Sequence, residues 1–279
     1  MPGSNTRAMA KAGALPADAV IFDLEDAVAP DAKERARGSV CAAARTGGYG
    51  LREVVVRVNG LATPWGRADL AAVATSGADA VLLPKVESPG AVREALAVLV
   101  AHEAPGGLAL WCMLETPRGI LDAAAIATAS PRVAALVMGT SDLTKDLHAR
   151  HTRDRLPLLT SLELCVLAAR AAGVAALDGV HLDLEDDAGF EAACRLAADL
   201  GFDGKTLIHP RTIAKANEIF APAPADVDWA RRVIAAHAAA TAEGRGVVLL
   251  DGRLIEGLHV EDARRLILLA DAIEARARG

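Results

Sequence analysis

Two carboxylates in the middle of the chain have the type and setting of divalent-cation ligands. Glu115 closes the apolar run "LWCML" and precedes Thr116-Pro117-Arg118-Gly119; Asp142 lies in "MGTSDLTKDL", just after the next apolar run. Carboxylates that end consecutive strands stand side by side. Two of them, completed by water and by oxygens of a bound molecule, are a usual way to hold Mg2+, which sheds its water reluctantly. The competing reading makes each one an N-terminal cap for the helix that follows. Their recurrence on consecutive strands favours the metal.

A denser set of carboxylates draws the eye first. Asp-Leu-Glu-Asp occurs at 23–26 in "VIFDLEDAVAP" and at 183–186 in "VHLDLEDDAGF", in flanks that do not match. Glu25 and Asp26 of the first copy read as groups that orient nearby cations and the waters of a metal. In the second copy, Asp186 and Asp187 precede the amphipathic stretch "GFEAACRLAADLG" and suit its N-terminal dipole.

The cations stand in similar places. Arg57 and Asn59 in "VVVRVNG" share strand parity, so both are expected to project the same way. A guanidinium there can grip a carboxylate and neutralise a developing enolate. It can equally pair with Glu25 or Asp26, and the sequence leaves both roles open. Lys85 ends "AVLLPK". A desolvated lysine can form a Schiff base, but an ion pair with the first DLED carboxylates is the simpler assignment. His209 in "IHP" reads as a hydrogen-bonded structural histidine.

Short apolar runs alternate with helical patterns, which is the signature of βα units on a parallel sheet. The expected strands cover 19–24, 53–59, 80–85, 108–114, 134–139, 174–180 and 204–210, with helices such as 88–103 and 117–129 between them. Each strand ends in polar residues, the side on which parallel α/β folds gather their ligand sites. Seven strands preceded by the helical "SNTRAMAKAGA" predict a (β/α)8 TIM barrel that lacks its usual first strand. No glycine-rich fingerprint follows the first strand, which argues against a doubly wound sheet. We expect residues 1–222 to form the barrel. Residues 223–279 should be a C-terminal extension, with a hairpin turning at Asp251-Gly252 and a last helix over 259–277, that packs on a neighbouring subunit.

Composition narrows the class. The chain has 279 residues, 52% of them hydrophobic, and a net charge of −6 with both signs interspersed. That balance offers no basic footprint for nucleic acid, and no apolar run approaches the roughly 18 residues of a membrane span. Cys41, Cys112, Cys165 and Cys194 are scattered without a C-x-x-C pair, so free thiols in a reducing cytoplasm are expected and a zinc cluster is not. The N-terminus carries no apolar stretch of a secretory signal.

Taken as a set, "PGSNTRAMAKA", "DAVIFDLEDAVAPDAKERAR", "VVVRVNG", "AVLLPKVESP", "MLETPRGI", "GTSDLTKDL", "GFDGKTLIHPRTIAKANEIFAP" and "DGRLIE" resemble the citrate lyase β-subunit-like family of the HpcH/HpaI aldolase group, which includes malyl-CoA and citramalyl-CoA lyases. The resemblance runs almost end to end. It implies Mg2+ on Glu115 and Asp142, with Glu115 and Arg57 contacting substrate and Arg57 near the carboxylate of a 2-oxoacid. The implied reaction cleaves or forms a C–C bond in a 3-hydroxyacyl-CoA or acyl-carrier thioester such as citryl-, malyl- or citramalyl-CoA. It also implies a homo-oligomer, trimer or hexamer, in which a tail carboxylate from a neighbour acts as acid or base. Here the family's aspartate is replaced by Glu256 in "DGRLIEG", and its "IHPxQ" reads "IHPRT" with Thr212. The longer Glu256 side chain leaves room for two other outcomes, a hydroxyacyl-CoA thioesterase and a catalytically weakened binding subunit.

Overall fold

We describe residues 1–278 of a computed structural model. The chain divides into two compact units, Met1–Ala216 and Asn217–Gly279, which are taken separately.

The first unit is built on seven parallel strands: β1 (Ala19–Asp23), β2 (Glu53–Arg57), β3 (Ala80–Leu83), β4 (Ala109–Leu114), β5 (Val133–Met138), β6 (Ala175–Asp178) and β7 (Gly204–Lys205). They lie side by side in sequence order in one curled sheet. Helices fill the connections: α1 (Thr6–Lys11), α2 (Lys33–Thr46), α3 (Gly66–Val73), α4 (Pro89–Ala101), α5 (Pro117–Leu121), α6 (Ala123–Ala127), α7 (Thr140–Asp146), α8 (Leu159–Ala172), α9 (Asp187–Leu200) and α10 (Ile213–Phe220), the last crossing the unit boundary. A short segment before α1 also joins the sheet edge. Pro2 bridges Asp23 in parallel, with Asp23 N–H donating to Met1 O and Gly3 N–H to Asp23 O, both at 2.7 Å.

Strands buried on both faces read as unbroken apolar runs, and β3 is buried at all four positions. Alternate residues of β1 to β6 meet in one cluster: Val55, Ala80, Leu82, Trp111, Met113, Ala135 and Val137, with Ile21 and Leu177 against it. The other parity, including Phe22, Val56, Leu83, Leu114 and Met138, is buried as well. Side chains alternate along a strand. Ile21 therefore leads to Asp23, Val55 to Arg57, and Met113 to Glu115, all on the cluster's face at the carboxyl end.

Three expectations about elements need correction. The seventh strand is only Gly204–Lys205 instead of 204–210: its pairing with the short β6 ends at Asp178–Lys205, and residues 206–209 have left the sheet before the 3-10 turn that starts at Pro210. The helix over 117–129 is two short ones, α5 and α6, interrupted at Asp122 (φ −96°, ψ 8°). Asn59 lies beyond β2, so it no longer shares Arg57's parity. It is buried against Asp69, with Asn59 N and Nδ2 donating to Asp69 Oδ2 at 3.0 and 2.5 Å and Nδ2 also reaching Leu24 O.

The second unit contains α11 (Pro224–Ala242), an antiparallel hairpin of β8 (Val248–Leu250) and β9 (Arg253–Ile255), and α12 (Gly257–Arg278). Asp251 and Gly252 both take positive φ, 47° and 77°, as a two-residue type I′ turn requires. Ala230, Val233, Ile255, Val260 and Ala263 form its core. Among the described residues, no helix is long and apolar enough to cross a membrane.

Candidate active site

The site is built on the carboxyl ends of β1 to β5. Asp23 and Arg57 are register partners across β1 and β2. Arg57 Nε donates to Asp23 Oδ1 at 2.7 Å and Nη2 to Oδ2 at 2.6 Å, a two-pronged pair of the strong kind. Asp23 also accepts backbone N–H bonds from Glu25 (2.9 Å) and Ala27 (3.0 Å), which fold the DLED turn over the strand end. Burial alone would raise the Asp23 pKa, but Arg57 and these two N–H groups hold it below the ordinary value. Burial likewise opposes the charge on Arg57, and Asp23, Glu25 and Asp26 outweigh it and drive its pKa up.

Arg57 Nη1 lies 3.0 Å from Glu25 Oε2 and 3.5 Å from Asp26 Oδ2. Glu25 Oε2 is buried without a well-formed hydrogen bond, so its contact with Arg57 is ionic only. Lys33 fixes the same turn from below. Its buried ammonium donates to Leu24 O (3.0 Å) and Glu25 O (2.9 Å) and sits 5.1 Å from the centroid of the Trp65 ring.

Glu115 extends the parity of Met113 and is only 3% exposed. Its Oε1 accepts the backbone N–H of Lys85 at 2.8 Å. Gly139, after β5, makes room for it, since a Cβ there would overlap Glu115 Cβ and Oε2. Burial, helped by Glu25 and Asp142 and opposed by Lys85, raises the Glu115 pKa to about 7. Asp142 stands in the first turn of α7 with its side chain partly exposed. Neither carboxylate caps a helix: Thr116 caps α5 through Gly119 N–H, and α7 has no side-chain cap.

Lys85 joins the two halves. Its parity would send the side chain away from the cluster's face, but its backbone is left-handed (φ 50°), a region non-glycine residues rarely enter. That turn brings Nζ to 2.6 Å from Asp142 Oδ2, 3.5 Å from Glu25 Oε1 and 3.7 Å from Glu115 Oε1. Its nearest partner is Asp142, and the ion pair with a DLED carboxylate expected from the sequence is also present, through Glu25.

Five carboxylates (Asp23, Glu25, Asp26, Glu115, Asp142) thus gather around the side chains of Arg57 and Lys85. The buried and incompletely bonded Glu25 and an ammonium between Glu115 and Asp142 suit a small hard cation. Among the described residues, no group of three or more His, Cys, Asp or Glu side chains is arranged as a complete ligand set. Two carboxylates plus outside oxygens is what the site offers, and that matches the preference of Mg2+.

The other residues singled out from sequence sit elsewhere. In the second DLED copy, Asp186 caps α9 through Gly189 N–H (2.9 Å) and pairs with Arg153 (2.6 Å), while Glu185 and Asp187 pair with Arg211. His209 Nδ1 accepts Arg211 N–H at 3.2 Å. All four cysteines are free and buried. Glu256 belongs to the second unit, where it follows β9 and its N–H donates to His259 Nδ1 at 3.0 Å.

Sequence reasoning missed two groups at this site and one ion cluster outside it. Asp23 was legible, because it ends β1 on the parity of Ile21. Lys33 had no signal in its spacing. The third is a buried ion cluster at the ends of β6 and β7: Asp178 takes two bonds from Arg155 (2.9 and 2.6 Å) and one from Lys205 (2.5 Å), whose side chain is 1% exposed. Burial would raise the Asp178 pKa, and the two cations pull it down instead.

The sequence model of the HpcH/HpaI aldolase/citrate lyase family matches residues 1–210. The chain belongs to that family. Within it, the chain is 50% identical over 275 residues to a (3S)-malyl-CoA thioesterase of Cereibacter sphaeroides, covering 99% of this chain and 94% of the relative. It is 38% identical over 276 residues to the citrate lyase subunit beta of Escherichia coli K12, covering 97% and 91%. Among solved structures, CitE from Mycobacterium tuberculosis in complex with magnesium, acetoacetate and coenzyme A superimposes with a TM-score of 0.78 at 32% identity, covering 97% of this chain and 96% of that one. The family resemblance drawn from the motifs is therefore borne out.

Proposed function

We propose that this chain holds Mg2+ at Glu115 and Asp142 and cleaves, or forms, the C–C bond of a 3-hydroxyacyl-CoA or acyl-carrier thioester. A 2-oxoacid and an acyl thioester are the products. The observation that carries this reading is the convergence of Glu115 and Asp142, beside Arg57 and Glu25, at the carboxyl ends of neighbouring strands. The M. tuberculosis relative with magnesium, acetoacetate and coenzyme A supports it. We also read the seven strands as the wall of a (β/α)8 barrel, with the segment paired to β1 through Pro2 at its edge.

The cation would supply Lewis-acid polarisation of the oxoacid oxygens. The chain's own residues do the rest. In cleavage, the substrate's 3-hydroxyl loses its proton, the C2–C3 electron pair moves into a thioester enolate, and that carbanion is then protonated. Arg57, held rigid and charged by Asp23, faces the negative charge that builds up, and such preorganised charge needs no rearrangement in the transition state. Glu115 and Arg57 orient the oxoacid end. Glu256, presented by a neighbouring copy in a homotrimer or hexamer, is the proposed acid or base; light scattering that finds only monomers removes it from that role.

A second reading is favoured by the 50% identity to a (3S)-malyl-CoA thioesterase. Water, activated by Glu256, would attack the thioester in the same pocket. Incubation with malyl-, citramalyl- and citryl-CoA, with Mg2+ or with EDTA, separates the readings. A 2-oxoacid with an intact thioester indicates the lyase, and intact hydroxy acid with free CoA indicates hydrolysis. Turnover that survives EDTA, or full activity in Glu115→Ala, overturns the metal assignment. Tight Mg2+ and oxoacid binding without turnover of any of the three leaves a weakened binding subunit.

A further inference from the structure

The Lys85 ammonium occupies the space between the carboxylates to which the metal is assigned. It lies 2.6 Å from Asp142, 3.7 Å from Glu115 and 3.5 Å from Glu25, and its side chain is 46% exposed. A divalent ion on those carboxylates would compete with the ammonium, since like charges a few ångströms apart repel. Arg57 is tied down by Asp23, Glu25 and Asp26. Lys85 is not. Its backbone N–H stays on Glu115 Oε1, but four flexible bonds separate that anchor from Nζ, and the half-exposed head has solvent to move into.

We propose that Lys85 is an internal stand-in for the divalent cation: its ammonium holds Glu115, Asp142 and Glu25 together while no metal is bound, and it leaves Asp142 when one binds. The left-handed backbone of Lys85 is what makes this geometry available, because parity alone would carry the side chain to the other face. The stand-in keeps like charges from splaying apart, so the ligands are already gathered when the ion arrives. Its cost is competition with the ion. The inference rests on the metal reading above, and its test separates the two.

The primary measurement is on the wild-type protein. Acylation of lysines by an N-hydroxysuccinimide ester, followed by peptide mass spectrometry, is run with and without Mg2+. Labelling of Lys85 should rise several-fold with Mg2+, while Lys145 (79% exposed, near Asp146) stays constant. The second measurement compares Mn2+ affinity, read by electron paramagnetic resonance, in wild type, Lys85→Met and Lys145→Met. Removing a competing, half-exposed ion pair should tighten Mn2+ by about fivefold in Lys85→Met. Lys145→Met, which removes a charge on the same short helix as Asp142, should change it by less than about twofold. Mn2+ bound by wild type with Lys85 labelling unchanged or reduced overturns the stand-in and leaves the metal site intact. Weaker Mn2+ binding in Lys85→Met overturns it too. No Mn2+ binding in any of the three overturns the metal site and the stand-in together.

Discussion

Replacing Glu115 with glutamine should make the metal-free protein more stable and inactive at once. Burial raises the Glu115 pKa from 4.5 to about 7, so between those values the native state keeps a proton the unfolded chain has lost. Stability contributed by this group therefore falls as pH rises through that window and stays at its lower level above it. A gap of about two and a half units, at about 1.36 kcal/mol each, is a penalty of about 3 kcal/mol at pH 8. At pH 5 the same relation leaves about 1 kcal/mol. Glutamine is neutral at both values and its oxygen can still accept the Lys85 N–H. Guanidinium unfolding in EDTA should then show Glu115→Gln more stable than wild type by about 3 kcal/mol at pH 8 and by about 1 kcal/mol at pH 5. Addition of Mg2+ should stabilise wild type and leave the variant unchanged. A variant no more stable than wild type at pH 8, or a gain of the same size at both pH values, refutes the reasoning.

Three further outcomes follow from the same geometry. Asp23→Asn leaves the Arg57 guanidinium, buried among strand ends, without its two-pronged partner, and should lower unfolding free energy by about 3 kcal/mol with loss of activity; a loss below about 0.5 kcal/mol in denaturant melts counts against the pair. Gly139→Ala places a Cβ on Glu115. Displacing this proposed metal ligand by about 1 Å should reduce turnover by about 100-fold, and steady-state rates matching wild type would show that Glu115 has slack. Asp178→Asn strips the buried Arg155 and Lys205 of their counter-charge and should cost about 3–5 kcal/mol, visible as a lower denaturant midpoint with Mn2+ affinity of the surviving folded protein unchanged.

The sequence by itself determined a good deal. Apolar runs of β-branched residues between amphipathic stretches sufficed for seven parallel strands and for polar strand ends on one side, because burial on both faces dictates composition directly. Strand parity, applied consistently, also places Asp23, Arg57 and Glu115 on one face, since alternation along an extended chain is local geometry. The motifs carried the family in the same direct way.

What tertiary structure decided lies in conformations and distances that no spacing encodes. Lys85 reaches Asp142 only because its backbone turns left-handed, against parity. Asn59 leaves Arg57's face because β2 ends before it. Arg57 meets Glu25 and Asp26 as the sequence allowed, and it is the register of β1 against β2 that adds Asp23 as its two-pronged partner. The Asp178–Arg155–Lys205 cluster joins residues from three distant parts of the chain. Local sequence fixes which way a side chain leaves its strand, while which opposite charge it meets, and how far from water, depends on neighbours that only the folded sheet brings within reach.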